Sequence, residues 1–181
     1  ERLDKTLRKG LARATDAPGH PKPSLEQNAA MLLAIRKKSD AAKLFAGIAQ
    51  GHREVFEICN QYLATNAAEL RTVGAQSPRL PALLKGKDVA EKFHRFHMLR
   101  WAEVESQSLS QEARTTVKFR DKLETLNKAL SVIETARQFY PDERDLIDSE
   151  IVLREFSISV KVSASIEQAE RAAFKGNYKR A

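Results

Sequence analysis

Between residues 85 and 140 the chain runs for about 55 residues with no proline and a single glycine, Gly86. Nothing in that stretch stops a helix, and uninterrupted it would reach roughly 80 Å. Phe93, Phe96, His97, Leu99 and Trp101 make its first part aromatic. Thr116, Phe119, Leu123, Leu126, Leu130 and Ile133 form a seam at three- and four-residue spacing in its second part. The seam is close to a heptad pattern, which implies long helices packed side by side at shallow angles. Residues 106–110, with three serines, are the expected interruption. Seven Gly and six Pro in 181 residues are too few turn formers for an all-β chain. A hydrophobic fraction of 42% argues against wholesale disorder. The expected fold is all-α: long antiparallel helices in a bundle or an irregular, solenoid-like repeat arrangement.

Upstream, Leu3, Leu7 and Leu11 recur among Arg2, Lys5, Arg8, Lys9 and Arg13, the pattern of a short basic amphipathic helix. Residues 16–23 then place three prolines and a glycine in eight positions, which reads as a linker. The expected organisation is this segment at 1–23 and a helical domain at 24–181, with a sub-boundary at 74–81. Ser24 and Gln27 form a capping box before an apolar face of Met31, Leu32 and Ile35. Ser39-Asp40 is the expected cap of a third helix, running to about Val73 through Leu44, Ile48, Val55, Ile58, Tyr62 and Leu70. The chain opens on Glu1 rather than Met and closes at Ala181 within a helical pattern, as a piece of a longer protein would.

Tyr140-Pro141-Asp142 ends one helix and, with Glu143 and Asp145, starts another. Residues 156–166 alternate apolar and polar, which is the strand template. They also fit a helix with Val152, Phe156, Val160 and Ser163 on one face and Ile158, Val162, Ile166 and Ala169 on another. Helix is the chosen reading, because no second strand is evident to satisfy the backbone of a first.

Two stretches resemble pieces of tetratricopeptide repeats. Ala129 and Ala136, seven residues apart, precede Tyr140-Pro141. Ala172, Gly176, Tyr178 and Ala181 resemble the end of the family's first helix, its Gly-x-Tyr turn and the alanine opening its second helix. Ala129 and Ala181 lie 52 residues apart rather than the family's period of about 34, so a regular array is not implied. The resemblance implies protein or peptide binding on a helical face, without chemistry.

The charge excess of seven sits entirely in the first 101 residues. Lys92, Arg95 and Arg100 interleave with Phe93, His94, Phe96, His97 and Trp101, which is how cations and stacking rings are laid out on a nucleic-acid surface. The same rings are spaced to be buried, with the cations outside. Glu91 and His94 have the Glu-x-x-His spacing of carboxylate-bridged metal bundles, and His97 lies one turn on. A complete site needs a second such motif, and the sequence holds none. Cys59 is one thiol on an apolar helix with His52 two turns away, and reads as structural. No phosphate-binding glycine loop, Gly-x-Ser-x-Gly elbow or His-Glu-x-x-His motif occurs.

The expected function is a non-catalytic scaffold or adaptor domain that binds a protein or peptide between helices, needing no cofactor. The tentative partner-binding residues are Lys92, Arg95 and Arg100. The rival is a nucleic-acid-binding helical domain using the basic half. A metal-dependent bundle enzyme built on Glu91, His94 and His97 stands third. A homodimer is expected from the long amphipathic helices. With no apolar run near the roughly 20 residues that span a bilayer, the default compartment is the cytoplasm.

Overall fold

A computed structural model describes residues 25–174, which form five helices and no strand. These are α1 Leu25–Leu44, α2 Ala49–Thr72, α3 Leu80–Thr115, α4 Phe119–Phe139 and α5 Arg144–Phe174. The N-terminal basic helix and linker, the Ser24 cap, Gly176, Tyr178 and Ala181 lie outside the described residues. The all-α expectation holds, and residues 156–166 are helix.

α3 is the spine. Its 36 residues extend about 54 Å. Along its first half α1 runs parallel and α2 antiparallel. Ser39 meets His97, Tyr62 reaches Gly86 and Asn66 reaches Leu83. Along its second half α4 returns antiparallel, bringing Tyr140 back to His94. α5 then runs forward again, from Glu143 beside Arg95 to Phe156 under Arg114.

Each helix buries the stripe that its spacing dictates. In α2 this is His52, Val55, Phe56, Cys59, Tyr62 and Asn66. In α4 it is Thr125, Leu126, Ala129, Ile133 and Ala136. The stripes meet in two cores. Ile35, Ala42, Val55, Cys59, Tyr62 and Ala90 form one. Met98, Trp101, Ala102, Ala113, Leu126, Ala129, Ile133, Ala136, Leu146 and Leu153, joined by Phe56 from α2, form the other. Fully burying a residue such as Leu126 or Ile133 contributes about 1.5–3 kcal/mol.

Three boundaries differ from the sequence reading. The third helix does not start at Ser39-Asp40: α1 runs on to Leu44, and the chain turns at residues 45–48, closed by Ile48 N–H donating to Phe45 C=O at 2.9 Å. Ser39 is buried and its hydroxyl serves His97 instead of a helix end. Leu44 and Ile48, expected on the packed face, are exposed at that turn. Residues 106–110 do not interrupt α3, because Ser106 turns its hydroxyl back to the Glu103 carbonyl. The break falls instead at residues 116–118, where Thr115 and Thr116 both bond the Glu112 carbonyl and Val117 stands almost wholly exposed. Thr116 is therefore a helix end and not part of the seam.

The stretch at 74–81 is the turn of a tightly packed hairpin. Arg79 pairs with Glu69 across it and Asn66 donates to Leu83 C=O at 3.1 Å. α3 starts at Leu80, with Pro81 in its first turn, where a missing N–H costs nothing.

Candidate functional site

The most unusual chemistry sits between α1, α2 and α3. Ser39 Oγ lies 2.8 Å from His97 Nε2, His97 Nδ1 lies 2.8 Å from His52 Nδ1, and His52 Nε2 lies 3.3 Å from Ala46 C=O. A carbonyl only accepts, so His52 carries its hydrogen on Nε2 and its Nδ1 is an acceptor. His97 therefore donates from Nδ1 and accepts the Ser39 hydroxyl at Nε2. Four groups thus form one directed chain in which both imidazoles are neutral. Burial lowers His52, with Ala46 working against it and Arg100 with it. Burial, then the neighbouring His52 and Lys43, lowers His97 to about 4.

This order of groups polarises a serine hydroxyl as a nucleophile is polarised. Ser39 nevertheless has no exposed surface and lines none of the grooves described below. What the chain does in place is join three helices by hydrogen bonds.

His94 takes a separate partner. Its Nδ1 lies 2.5 Å from the Tyr140 hydroxyl, tying α3 to the end of α4. Burial lowers His94 and raises Tyr140 to about 12. The His94 Nε2 has no hydrogen-bond partner among the described residues. A third lock joins Tyr62, whose hydroxyl donates to Asn28 Oδ1 at 2.7 Å, to Asn66, which donates to it at 3.2 Å. Gly86 opposite has no Cβ, and a Cβ there would overlap that hydroxyl.

The three metal candidates do not converge. His94 and His97 are committed to Tyr140 and to His52 with Ser39, while Glu91 is exposed and pairs with Lys87 at 3.6 Å. Among the described residues no group of three or more His, Cys, Asp or Glu is placed to hold a metal ion. Cys59 is fully buried, and burial pushes its thiol up to about 12.

The three cations on α3 each stand beside a carboxylate. Lys92 is 2.8 Å from Asp88, Arg95 2.6 Å from Glu143 and Arg100 2.5 Å from Glu103. Of the interleaved rings, Trp101 is buried against Phe56, Phe93 is half-buried and Phe96 is exposed under Lys43. Ala129 and Ala136 are fully buried in the second core, Pro141 is exposed at the α4–α5 turn, and Ala172 is half-buried near the end of α5.

Several open grooves flank the spine, one of them lined by Lys92, His94 and Arg95. One of about 510 Å³ lies between α1 and the start of α3, floored by Leu25, Leu32, Leu33, Ala82 and Val89 with Arg36 and Lys85 beside them. Another, of about 470 Å³, lies between α3 and α5, where Ser106, Gln107, Ser110 and Asp148 line it together with Val152 and Leu153. None of the described helices is long and apolar enough to cross a membrane.

Sequence reasoning missed the Ser39–His97–His52 chain. Its signal was register: Ser39 falls between Ile35 and Ala42 on the buried stripe of α1, and His52 and His97 fall on the buried stripes of α2 and α3. No family model matches this chain, and neither a curated protein nor a solved structure resembles it.

Proposed function

We propose that this chain is a non-catalytic helical interaction module that binds a protein segment in the groove between α1 and α3. The groove carries the reading. Its volume of about 510 Å³ falls in the range of natural binding clefts. Leucine, valine and alanine floor it, and Leu25 and Leu33 remain substantially exposed there. Arg36 and Lys85 border it, and neither stands in an ion pair among the described residues. An apolar floor with cationic borders fits an amphipathic helical segment whose apolar residues recur at three and four and whose flanks are acidic. The Ala129–Pro141 resemblance to protein-binding helical repeats supports the same class of function.

The nucleic-acid reading rests on Lys92, Arg95 and Arg100, and each of those already faces a carboxylate. That weakens its claim on phosphates, which need uncommitted cations.

The test uses a labelled amphipathic peptide of leucine and glutamate at helical spacing. It should bind the unaltered protein and lose at least tenfold in affinity on Leu33→Asp, with a smaller loss on Lys85→Glu. Unchanged binding to both variants would overturn the groove. Salt-sensitive binding of an oligonucleotide, abolished by charge reversal at Lys92, Arg95 and Arg100, would favour the rival.

A further inference from the structure

We propose that the Ser39–His97–His52 chain is an acid-released latch: protonation of its two imidazoles frees α1 from the α2–α3 hairpin, on a hinge at residues 45–48, while the second core stays closed. α1 is one wall of the α1–α3 groove, so its release also dismantles that groove. That consequence rests on the binding role proposed for the groove, whereas the latch itself does not.

α1 is the most lightly held helix around the first half of the spine. Of its 20 residues only Ile35, Ser39 and Ala42 are buried, whereas α2 buries six. One of those three is the latch serine. Among the described residues, the other polar ties from α1 to α2 are the Asn28–Tyr62 hydrogen bond and the exposed Lys38–Glu54 pair, and neither involves an imidazole. The turn that joins α1 to α2 grips the bundle weakly, with Phe45 and Ile48 exposed and open space beside Gly47.

The chain has room for one direction of hydrogen bonds at a time. With both rings neutral the hydrogens run from Ser39 through His97 to His52 and on to the Ala46 carbonyl. One added proton is held only by reversing two links, with His52 Nδ1 donating to His97 Nδ1 and His97 Nε2 donating to the Ser39 oxygen. A second proton puts an N–H on both Nδ1 atoms, which face each other across 2.8 Å with no acceptor between them. The surroundings oppose even the first. Neither ring has a carboxylate among its hydrogen-bond partners. The charged side chains that bear on them, Arg100 of α3 on His52 and Lys43 of α1 on His97, are both cations. When α1 detaches, both rings meet water, where an imidazole takes its proton at about pH 6.5. The open form thus binds protons that the closed form refuses, and falling pH drives the opening. Burial above all holds His97 at about 4 in the closed form, so His97 alone raises the opening constant about twentyfold between about pH 7 and about pH 5.

Cys59 is the one thiol of the chain and lies in the same small core as Ile35 and Ala42, so release of α1 uncovers it. Its labelling by a pyridyl disulfide, which reacts with thiols in mild acid, is measured relative to the urea-unfolded chain at the same pH. The relative rate should rise about tenfold or more from about pH 7 to about pH 5, while the fluorescence of Trp101 in the second core stays unchanged. The double substitution His52→Gln/His97→Gln keeps hydrogen-bonding side chains that do not titrate, and should abolish the rise. A second variant, Ala42→Cys/Gly51→Cys, covers the case in which that one fails to fold. A Cβ at residue 51 lies 3.5 Å from the Ala42 Cβ, which is disulfide distance. Once oxidised it pins α1 to α2 and should suppress the rise at Cys59. A relative rate that changes less than about threefold overturns the latch. So does a rise that persists in the double glutamine variant or in the pinned chain, or one accompanied by loss of the Trp101 signal, since the whole chain is then unfolding in acid. Failure of the amphipathic peptide to bind at about pH 7 overturns the groove alone, because the labelling result does not depend on it.

Discussion

Around the first half of α3 the helices meet through polar side chains as much as apolar ones. Ser39, His52, Asn66, His94 and His97 are all buried there. Around the second half they meet through small and aliphatic residues: Ala102, Ala113, Leu126, Ala129, Ile133 and Ala136 are all fully covered. The two halves share one helix yet use different physics. Alanines let α3 and α4 approach closely, and dispersion and burial then hold them without direction. Hydrogen bonds between buried groups hold α1, α2 and α3 in one register and penalise any other, because a displaced partner leaves an unsatisfied polar atom. The second half should therefore respond to changes of volume, and the first to changes of hydrogen bonding and protonation.

Removing volume from the second half should have the largest effect. Leu126→Ala leaves a cavity in a core with no slack and should cost about 2–5 kcal/mol in chemical denaturation. A loss below about 1 kcal/mol would mean that the alanine-lined core is looser than its burial implies. In the first half His97→Ala should cost about 2–4 kcal/mol, since it strands His52 Nδ1 and the Ser39 hydroxyl together. Its diagnostic is the pH profile. His52, His94 and His97 are all lowered in the folded chain, so the unfolded chain binds more protons in mild acid. Their stabilisation is present above about pH 6.5 and is lost as pH falls through the folded values. For His97, which reaches about 4, the loss is on the order of 3 kcal/mol. The His97→Ala variant should show a shallower acid limb than the unaltered protein, and an equally steep limb would detach the effect from this group.

Smaller effects sharpen the same contrast. Gly86→Ala drives a methyl into the Tyr62 hydroxyl and should cost about 1–3 kcal/mol by thermal melting. At the surface Lys92→Ala removes an exposed pair with Asp88 and should change stability by less than about 0.5 kcal/mol.

Much of this fold is readable from periodicity. Val55 and Tyr62 in the stripe of α2, Leu126 and Ile133 in that of α4, the stops near Val73 and Tyr140, and helix rather than strand at 156–166 follow from apolar spacing and turn residues, whereas Leu44, Ile48 and Phe119 of the expected faces are exposed. The alternation at 156–166 misleads because α5 has two apolar faces, and a two-faced helix mimics a period of two. Ser39-Asp40 misleads because a serine on a buried stripe looks like a cap until its partner is known, and that partner lies 58 residues away. Thr116, which ends α3, likewise resembles a seam residue. Of the candidate site, the register of the histidines was legible in the chain, but which histidine meets which depends on how three helices pack.

The most direct test of the two-core account is amide hydrogen exchange at about pH 7 and about pH 5, corrected for the intrinsic rates. The account predicts that α1, α2 and the first half of α3 lose protection in acid while α4, the second half of α3 and the start of α5 keep theirs. Equal loss across both halves, or loss confined to α4 and α5, would contradict it.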